Sequence, residues 1–452
     1  MTTTLKHSRL ALVALAVTVA GCSFDIANPN TPDVIGPDPS RSVVAATANG
    51  ILIATRADMA DWALKGGILG REASRFDGSD PRFTGELMHG PLDPGSRAFG
   101  GNHWAEEYVA IRTANDLLAV INTASALSAE EQSATSGFAH TLQAYNFLIV
   151  LDAHRQDSIP IDVGTDVTAP PAPFVSNADA YAHVVSLLDG AVAELQAGGS
   201  AFPFPLPGGF SGFDAPATFV KFNRALRARA AIYTGDYAGA LTALAASFID
   251  PTPQSLPLGV YMNYSAGTGD FANPLALDPL SGENVAHPSL AARAQLQPGG
   301  APDKRLTDKV VTLQDANGLP VIRSADNLST AFGWIRYPSP DTPIPLIKDE
   351  ELILLRAEAN IGLGDLGTAL TDINLVRTTS GGLAPLAALA DQTAAITELL
   401  YNKRYSLLYE GAHSWIDYRR YNRTADLEGF DRPGDVIFPT LPIPNAEVQA
   451  HQ

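Results

Sequence analysis

The apolar positions of this chain recur mostly at helical spacing, interrupted by long segments rich in glycine and proline. Residues Ser42 to Ala63 contain Gly50 as their main breaker and suit one helix. From His103 to Thr123, Tyr108, Ile111, Asn115 and Leu118 fall three or four apart, which predicts a helix with one buried stripe. Ser128, with Glu131 three residues later, has the form of a capping box opening a helix through Ala153. Ser176-Asn177-Ala178-Asp179 opens another through Gln196. Between these lie loop-rich insertions at 64–103, 198–217 and 250–345. Irregular stretches of that length are usually functional or mobile. Strand signals are sparse. Lys309 to Leu313 and Leu319 to Ile322, joined by Asp315-Ala316-Asn317-Gly318, predict at most a small β-hairpin.

One pattern occurs twice. Arg227-Ala228-Arg229-Ala230-Ala231-Ile232-Tyr233-Thr234-Gly235-Asp236-Tyr237 matches Arg356-Ala357-Glu358-Ala359-Asn360-Ile361-Gly362-Leu363-Gly364-Asp365-Leu366 at one fixed offset. After each Gly-Asp, apolar residues follow at i, i+3, i+4 and i+7: Tyr237, Ala240, Leu241, Leu244, and then Leu366, Ala369, Leu370, Ile373. Each unit reads as a helix, a tight turn and a second amphipathic helix, with Gly235 and Gly364 in the turns. Such units resemble tetratricopeptide pairs, which stack to bury a shared face. The expected fold class is therefore mainly α, with tetratricopeptide-like helix pairs forming a scaffold that carries long irregular loops.

The first residues read as an address. Lys6 and Arg9 precede an apolar run from Leu10 to Ala20. As a helix that run rises only about 16 Å, against a bilayer core of about 30 Å, so it suits a signal peptide and not a membrane span. It ends in Val19-Ala20-Gly21-Cys22, which resembles a bacterial lipobox, and Cys22 is the chain's single cysteine. The expected organisation is a signal peptide at 1–21, a lipidated tether at 22–40 rich in Pro, Asn and Asp, and a helical body at 41–452.

Composition narrows function by exclusion. Thirty basic against 48 acidic residues give a net charge of −18, and removing 1–21 takes away two positive charges. A surface of that sign does not track a nucleic-acid backbone. A lone cysteine allows no intrachain disulfide or thiolate cluster. Catalytic patterns are weak. Gly362-Leu363-Gly364-Asp365-Leu366-Gly367 satisfies G-x-G-x-x-G, but a helical run precedes it where a dinucleotide site needs a strand. After Asp315-Ala316-Asn317-Gly318, the later calcium-loop positions are Leu319, Pro320 and Val321, so a hairpin turn is the reading there. The nine histidines are scattered. Glu106-Glu107, Glu130-Glu131 and Glu350-Glu351 are adjacent acids, which point about 100° apart on a helix and suit its dipole better than paired catalysis. No catalytic residue, cofactor or metal is expected.

Four segments together resemble the SusD/RagB family of outer-membrane lipoproteins. They are Trp104-x-x-x-Tyr108-x-x-Ile111-x-x-x-Asn115-x-Leu117-Leu118; the Ala139–Leu151 helix followed by Asp157-Ser158-Ile159-Pro160; the repeat, with Lys221 before it and Ile373-Asn374-x-Val376-Arg377 after it; and Lys403-Arg404 through Glu410-Gly411 to Asp417-Tyr418-Arg419-Arg420, closing in Leu441-Pro442-Ile443-Pro444. Asn402 and Ser406 depart from the pattern, which usually has Glu there. The resemblance implies a non-enzymatic, lipid-anchored protein on the outer membrane, facing the cell exterior. It also implies capture of a glycan or peptide for a SusC-like TonB-dependent transporter. The alternative is a tetratricopeptide-like surface scaffold that binds proteins only.

Sugars present apolar CH faces and hydroxyl edges, so a site for them needs aromatic rings flanked by carboxylates, amides or guanidinium groups. The stretch 64–104 offers Arg71, Phe76, Asp77, Asp80, Arg82 and Trp104; the stretch 255–337 offers Tyr261, Asn263, Tyr264, Trp334 and Tyr337. The expected ligand-binding set is Phe76, Asp77, Tyr261, Tyr264 and Trp334.

Overall fold

Ser40 opens the first helix by accepting a hydrogen bond from the Val43 amide at 3.4 Å. A computed structural model describes residues 35–95, 102–155, 158–166 and 168–452. The signal peptide and Cys22 lie outside the described residues. Helix α1 (Arg41–Leu69) runs six residues past the expected end at Ala63. The reason is that Gly66 and Gly67 here act as contact residues. A Cβ on Gly66 would lie 2.6 Å from the Ala412 Cα, so hydrogen at that position lets a later segment press directly on α1. The loop expected from residue 64 begins only after Leu69, where Arg71 turns the chain with φ 54°.

Helix α2 (Asn102–Ile121), α3 (Ala129–Ala153) and α4 (Asn177–Gln196) follow. The capping box forms as read: Ser128 Oγ accepts from the Glu131 amide at 3.2 Å and Glu131 Oε2 from the Ser128 amide at 2.9 Å. Ser176 caps α4 in the same way, at 3.2 Å from the Asp179 amide. Each of these helices packs on the next, and α4 packs on α5 (Pro216–Thr234). Helix α5 pairs with α6 (Tyr237–Ala245), and α9 (Asp349–Leu363) pairs with α10 (Leu366–Thr379). Helices α7 (Pro288–Arg293) and α8 (Lys304–Thr307) are short. Helix α9 also contacts α6 and α11 (Gln392–Ser406), and α12 (His413–Arg420) returns to α1. Helix α13 (Asn445–Ala450) is the last. Pro37 to Gln452 form one compact unit. Among the described residues no helix is long and apolar enough to cross a membrane.

Both repeat turns have the predicted geometry. Gly235 and Gly364 take φ 76° and 84°, and the following Asp236 and Asp365 cap the next helix through the Gly239 and Thr368 amides at 2.9 and 3.0 Å. Nothing lies within 4 Å of a Cβ built on Gly364, so the cost of a side chain there is the left-handed backbone alone. Gly364→Val is expected to lose about 1–3 kcal/mol, read as a shift in the urea midpoint at constant slope. A change below the error of that measurement would mean that the turn relaxes to negative φ.

The strands exceed the single hairpin expected. Strands β1 (Ala73–Arg75), β5 (Asn284–Ala286), β9 (Phe332–Trp334) and β6 (Val310–Thr312) form an antiparallel sheet in that order. Strand β4 (Gly259–Met262) pairs with β10 (Ile344–Lys348), β2 (Ile159–Pro160) with β3 (Phe174–Val175), and β7 (Arg323–Ala325) with β8 (Leu328–Thr330). The expected turn at 315–318 is present, with Gln314 bridged to Pro320 and Gly318 at φ 77°. Its strand β6, however, pairs with β9. Strands this short cannot display an alternating pattern, and their partners are remote in sequence.

Candidate functional site

Helix α1 brings Asn49, Leu52, Ile53 and Arg56 to one face by their i, i+3, i+4, i+7 spacing. With Pro207 from the 198–215 loop and Met262, Asn263, Gly269 and Asp270 from β4 and the loop after it, they line a surface cleft. Leu52 and Met262 are buried, whereas Ile53 stays 47% exposed. Arg56 organises the rim. Its guanidinium donates to the Asn263 carbonyl at 2.7 Å and to Asp270 Oδ1 at 2.6 Å. That hydrogen bond, with the Phe271 amide on the same oxygen, holds the Asp270 carboxyl below its ordinary pKa. The guanidinium also lies 4.0 Å from the centroid of Phe271 and 5.6 Å from that of Tyr264. Phe271 is 39% exposed. Asn263 Oδ1 is buried without a hydrogen-bond partner in the protein. The loop is anchored from below, where the Asn273 amide donates to the Pro340 carbonyl and the Ala266 amide to Asp341 Oδ1.

An apolar floor with a few convergent polar groups is the usual composition of a small-ligand site. Here the floor suits CH faces, while Asn49, Asn263, Arg56 and Asp270 suit hydroxyls.

The five residues read from the sequence fall in two places. Tyr264, just beyond β4, lies beside the cleft near Arg56, whereas Tyr261 precedes the cleft residue Met262 on β4 and so faces the other side of the strand. Tyr261 is half-buried and its hydroxyl donates to the Pro257 carbonyl. Tyr264 is only 3% exposed and meets Phe271 edge-on, with centroids 5.7 Å apart. Phe76, Asp77 and Trp334 belong instead to the four-stranded sheet and its margin. Phe76 is buried, its amide donating to the Glu283 carbonyl. Asp77 is occupied by the Ser79 amide and hydroxyl and by Arg75, which hold its carboxyl well below the ordinary range. Trp334 stacks on Tyr409 at 4.1 Å and 10° and is 5% exposed. The expectation of open rings at Phe76, Tyr264 and Trp334 is thus corrected: their faces are covered by protein. Trp104 and Tyr337 are core residues as well.

Sequence reasoning missed Arg56, Asp270 and Phe271. The signal for Phe271 was its place in the polar, glycine-rich run Ser265-Ala266-Gly267-Thr268-Gly269-Asp270. Arg56 carries no local signal, because its partner Asp270 is 214 residues away.

No protein-family model matches the chain, and no curated protein matches it in sequence. Solved structures do match. A SusD-like carbohydrate binding protein from Bacteroides fragilis aligns with a TM-score of 0.72 at 17% identity, covering 91% of this chain and 98% of that one. A SusD superfamily protein from Bacteroides thetaiotaomicron gives 0.68 at 15%, with 91% and 98% covered. Surface glycan-binding protein A from Bacteroides fluxus gives 0.67 at 16%, with 91% and 96% covered. The chain therefore has the SusD-like fold. Identities this low carry the fold and leave the ligand to be argued from the site.

Proposed function

On the premise of a SusD-like fold, we propose that this chain is a cell-surface binding lipoprotein. It captures a glycan or other oligomeric nutrient in the cleft at Asn49, Arg56, Asn263 and Asp270 and passes it to a SusC-like TonB-dependent transporter in the outer membrane. The observation that carries this reading is the cleft rim. There a partly exposed aromatic ring, an ordered guanidinium and carboxylate, and amide side chains adjoin an apolar floor. The transporter partner and lipid anchor are supported by the Val19-Ala20-Gly21-Cys22 motif and by the resemblance in sequence. The glycan is supported by the structural neighbours, two of which are carbohydrate- or glycan-binding proteins. The role is capture without chemistry. Tyr264 supports Arg56 and Phe271 from beneath and does not itself stack on ligand.

The test begins with a glycan and peptide array, followed by calorimetry on the best ligand. Phe271→Ala and Asp270→Asn are on the surface and should leave the circular dichroism spectrum unchanged. Each is expected to weaken binding about tenfold, which corresponds to about 1.4 kcal/mol. Unchanged affinity in both variants removes this cleft from the site. An array that yields neither glycan nor peptide, together with capture of proteins alone, would favour the scaffold reading.

A further inference from the structure

A second group of chemistry-bearing side chains lies on the same helix one turn beyond the cleft. Helix α1 carries Asp58 and Asp61 at i, i+3, and α2, which packs on it, carries His103 and Glu107 at i, i+4. Each pair therefore occupies one face, and the two faces meet. One ligand atom from each of Asp58, Asp61 and His103 lies within 4.8 Å of the others. His103 Nδ1 is in hydrogen-bond contact with Asp58 Oδ2. Glu107, one turn along α2 from His103, is buried on the same face.

Three features distinguish this group from a solvated acidic patch. Asp58, His103 and Glu107 are 2%, 0% and 4% exposed. Asp58 Oδ1, His103 Nε2 and Glu107 Oε2 are all buried without a hydrogen-bond partner in the protein. The imidazole is held by an apolar wall, with Trp62 edge-on at 4.9 Å and Trp415 behind Trp62 at 6.1 Å. The α2 backbone leaves helical geometry at His103 itself, with ψ 20°. Asp61, at 27% side-chain exposure, is the member nearest solvent.

We propose that Asp58, Asp61 and His103 bind one divalent transition-metal ion between α1 and α2, with the buried Glu107 carboxylate beside them as an outer partner. Metal sites in helix bundles are built this way, from carboxylate and imidazole side chains on facing helices. One imidazole with carboxylates suits zinc, manganese or ferrous iron; calcium would call for oxygen donors throughout. Lys65 pairs with Asp61 and acts as an outer-sphere partner. Three carboxylates, that ammonium and a divalent cation sum to zero charge, which a buried site requires. The ion clamps the helix whose preceding turn carries Arg56, so the site braces the cleft. The proposal does not depend on what the cleft binds.

The experiment uses the purified protein, stripped with chelator and titrated with Zn2+ or Co2+ alone. The expected result is one ion retained per chain after dialysis, a visible Co2+ spectrum of low symmetry, and a rise in the thermal midpoint with added metal. Asp58→Asn and His103→Gln are each expected to weaken Co2+ binding at least tenfold. A wild-type protein with no spectral or thermal response to millimolar Co2+ overturns the proposal, whatever the variants do. So does wild-type-like titration of both variants, which would place the ion elsewhere.

Discussion

Replacing Glu410 with alanine is expected to remove about 3–5 kcal/mol of stability, the cost of breaking a buried charge network from one side. Glu410 is 5% exposed. Its carboxylate meets Lys348 Nζ at 2.7 Å, Arg336 at 3.1 Å and Lys309 at 3.5 Å. These cations come from three segments: the end of β10, the residues after β9 and the approach to β6. One carboxylate thus ties the sheets to the segment between α11 and α12. Burial works against its charge, but the three cations more than offset it and hold its carboxyl far below the ordinary range. Without Glu410, three desolvated cations face one another. Lys309 is already pushed down to about 8 by burial and would be the first to lose its proton. Equilibrium denaturation of Glu410→Ala and Glu410→Gln separates lost charge from lost volume. A loss below about 1 kcal/mol in both would show that the network contributes nothing net.

The same group sets a pH dependence with a definite sign. Its folded pKa lies below the unfolded value of about 4.3, so its stabilisation is complete above that pH and is lost as pH falls below it. Glu358, which accepts from Lys403 and Arg420 and is held at about 2, acts in the same direction. Glu72 and Asp152 act oppositely. Burial lifts both to about 7, so ionising them costs stability as pH rises from about 4 toward 7. On these four groups the optimum should fall at about pH 4–5, where Glu410 and Glu358 are ionised and Glu72 and Asp152 still hold their protons. The acid limb should flatten in Glu410→Ala, as read from denaturation midpoints across pH.

The parts of this fold that are legible in the sequence are those whose determinants are local. Ser128 with Glu131 fixes a helix start within four residues. Gly364 with Asp365 fixes a helix end and the next helix start together. The departures at Asn402 and Ser406 are also explained locally in space. Both side-chain oxygens accept from Arg305, whose charge is met by Asp303, so no glutamate is needed there. What stays hidden depends on remote partners. Trp334 looks like a loop ring because its segment is rich in turn residues. Its neighbours Val310 on β6 and Tyr409 lie many residues away, and only the assembled sheet covers it. Gly66 reads as a breaker until Ala412 is placed against it. The cleft has the same character, since Arg56 has no partner until the loop at Asp270 folds across α1.

Cys22→Ala is expected to move the protein wholly from the membrane fraction to the soluble one without changing its folded body. The compact unit begins at Pro37, fifteen residues beyond Cys22 in sequence. On the proposed anchor, attachment rests on lipid alone. Each buried methylene contributes about 0.8 kcal/mol, and one acyl chain gives only marginal binding where two hold firmly. Net charge does not supply a second signal. The chain carries −18, and loss of the leader with Lys6 and Arg9 makes the remainder more negative still. That net charge is repelled by anionic headgroups and works against electrostatic attachment in place of the missing lipid. Fractionation with an intact-mass measurement decides the matter. A wild-type chain whose Cys22 is unmodified, or a Cys22→Ala chain that stays with the membrane, would show that something other than this residue holds the protein there. In the expected case, unchanged calorimetric affinity of the released variant for its ligand would show that anchoring and capture are separable functions of one chain.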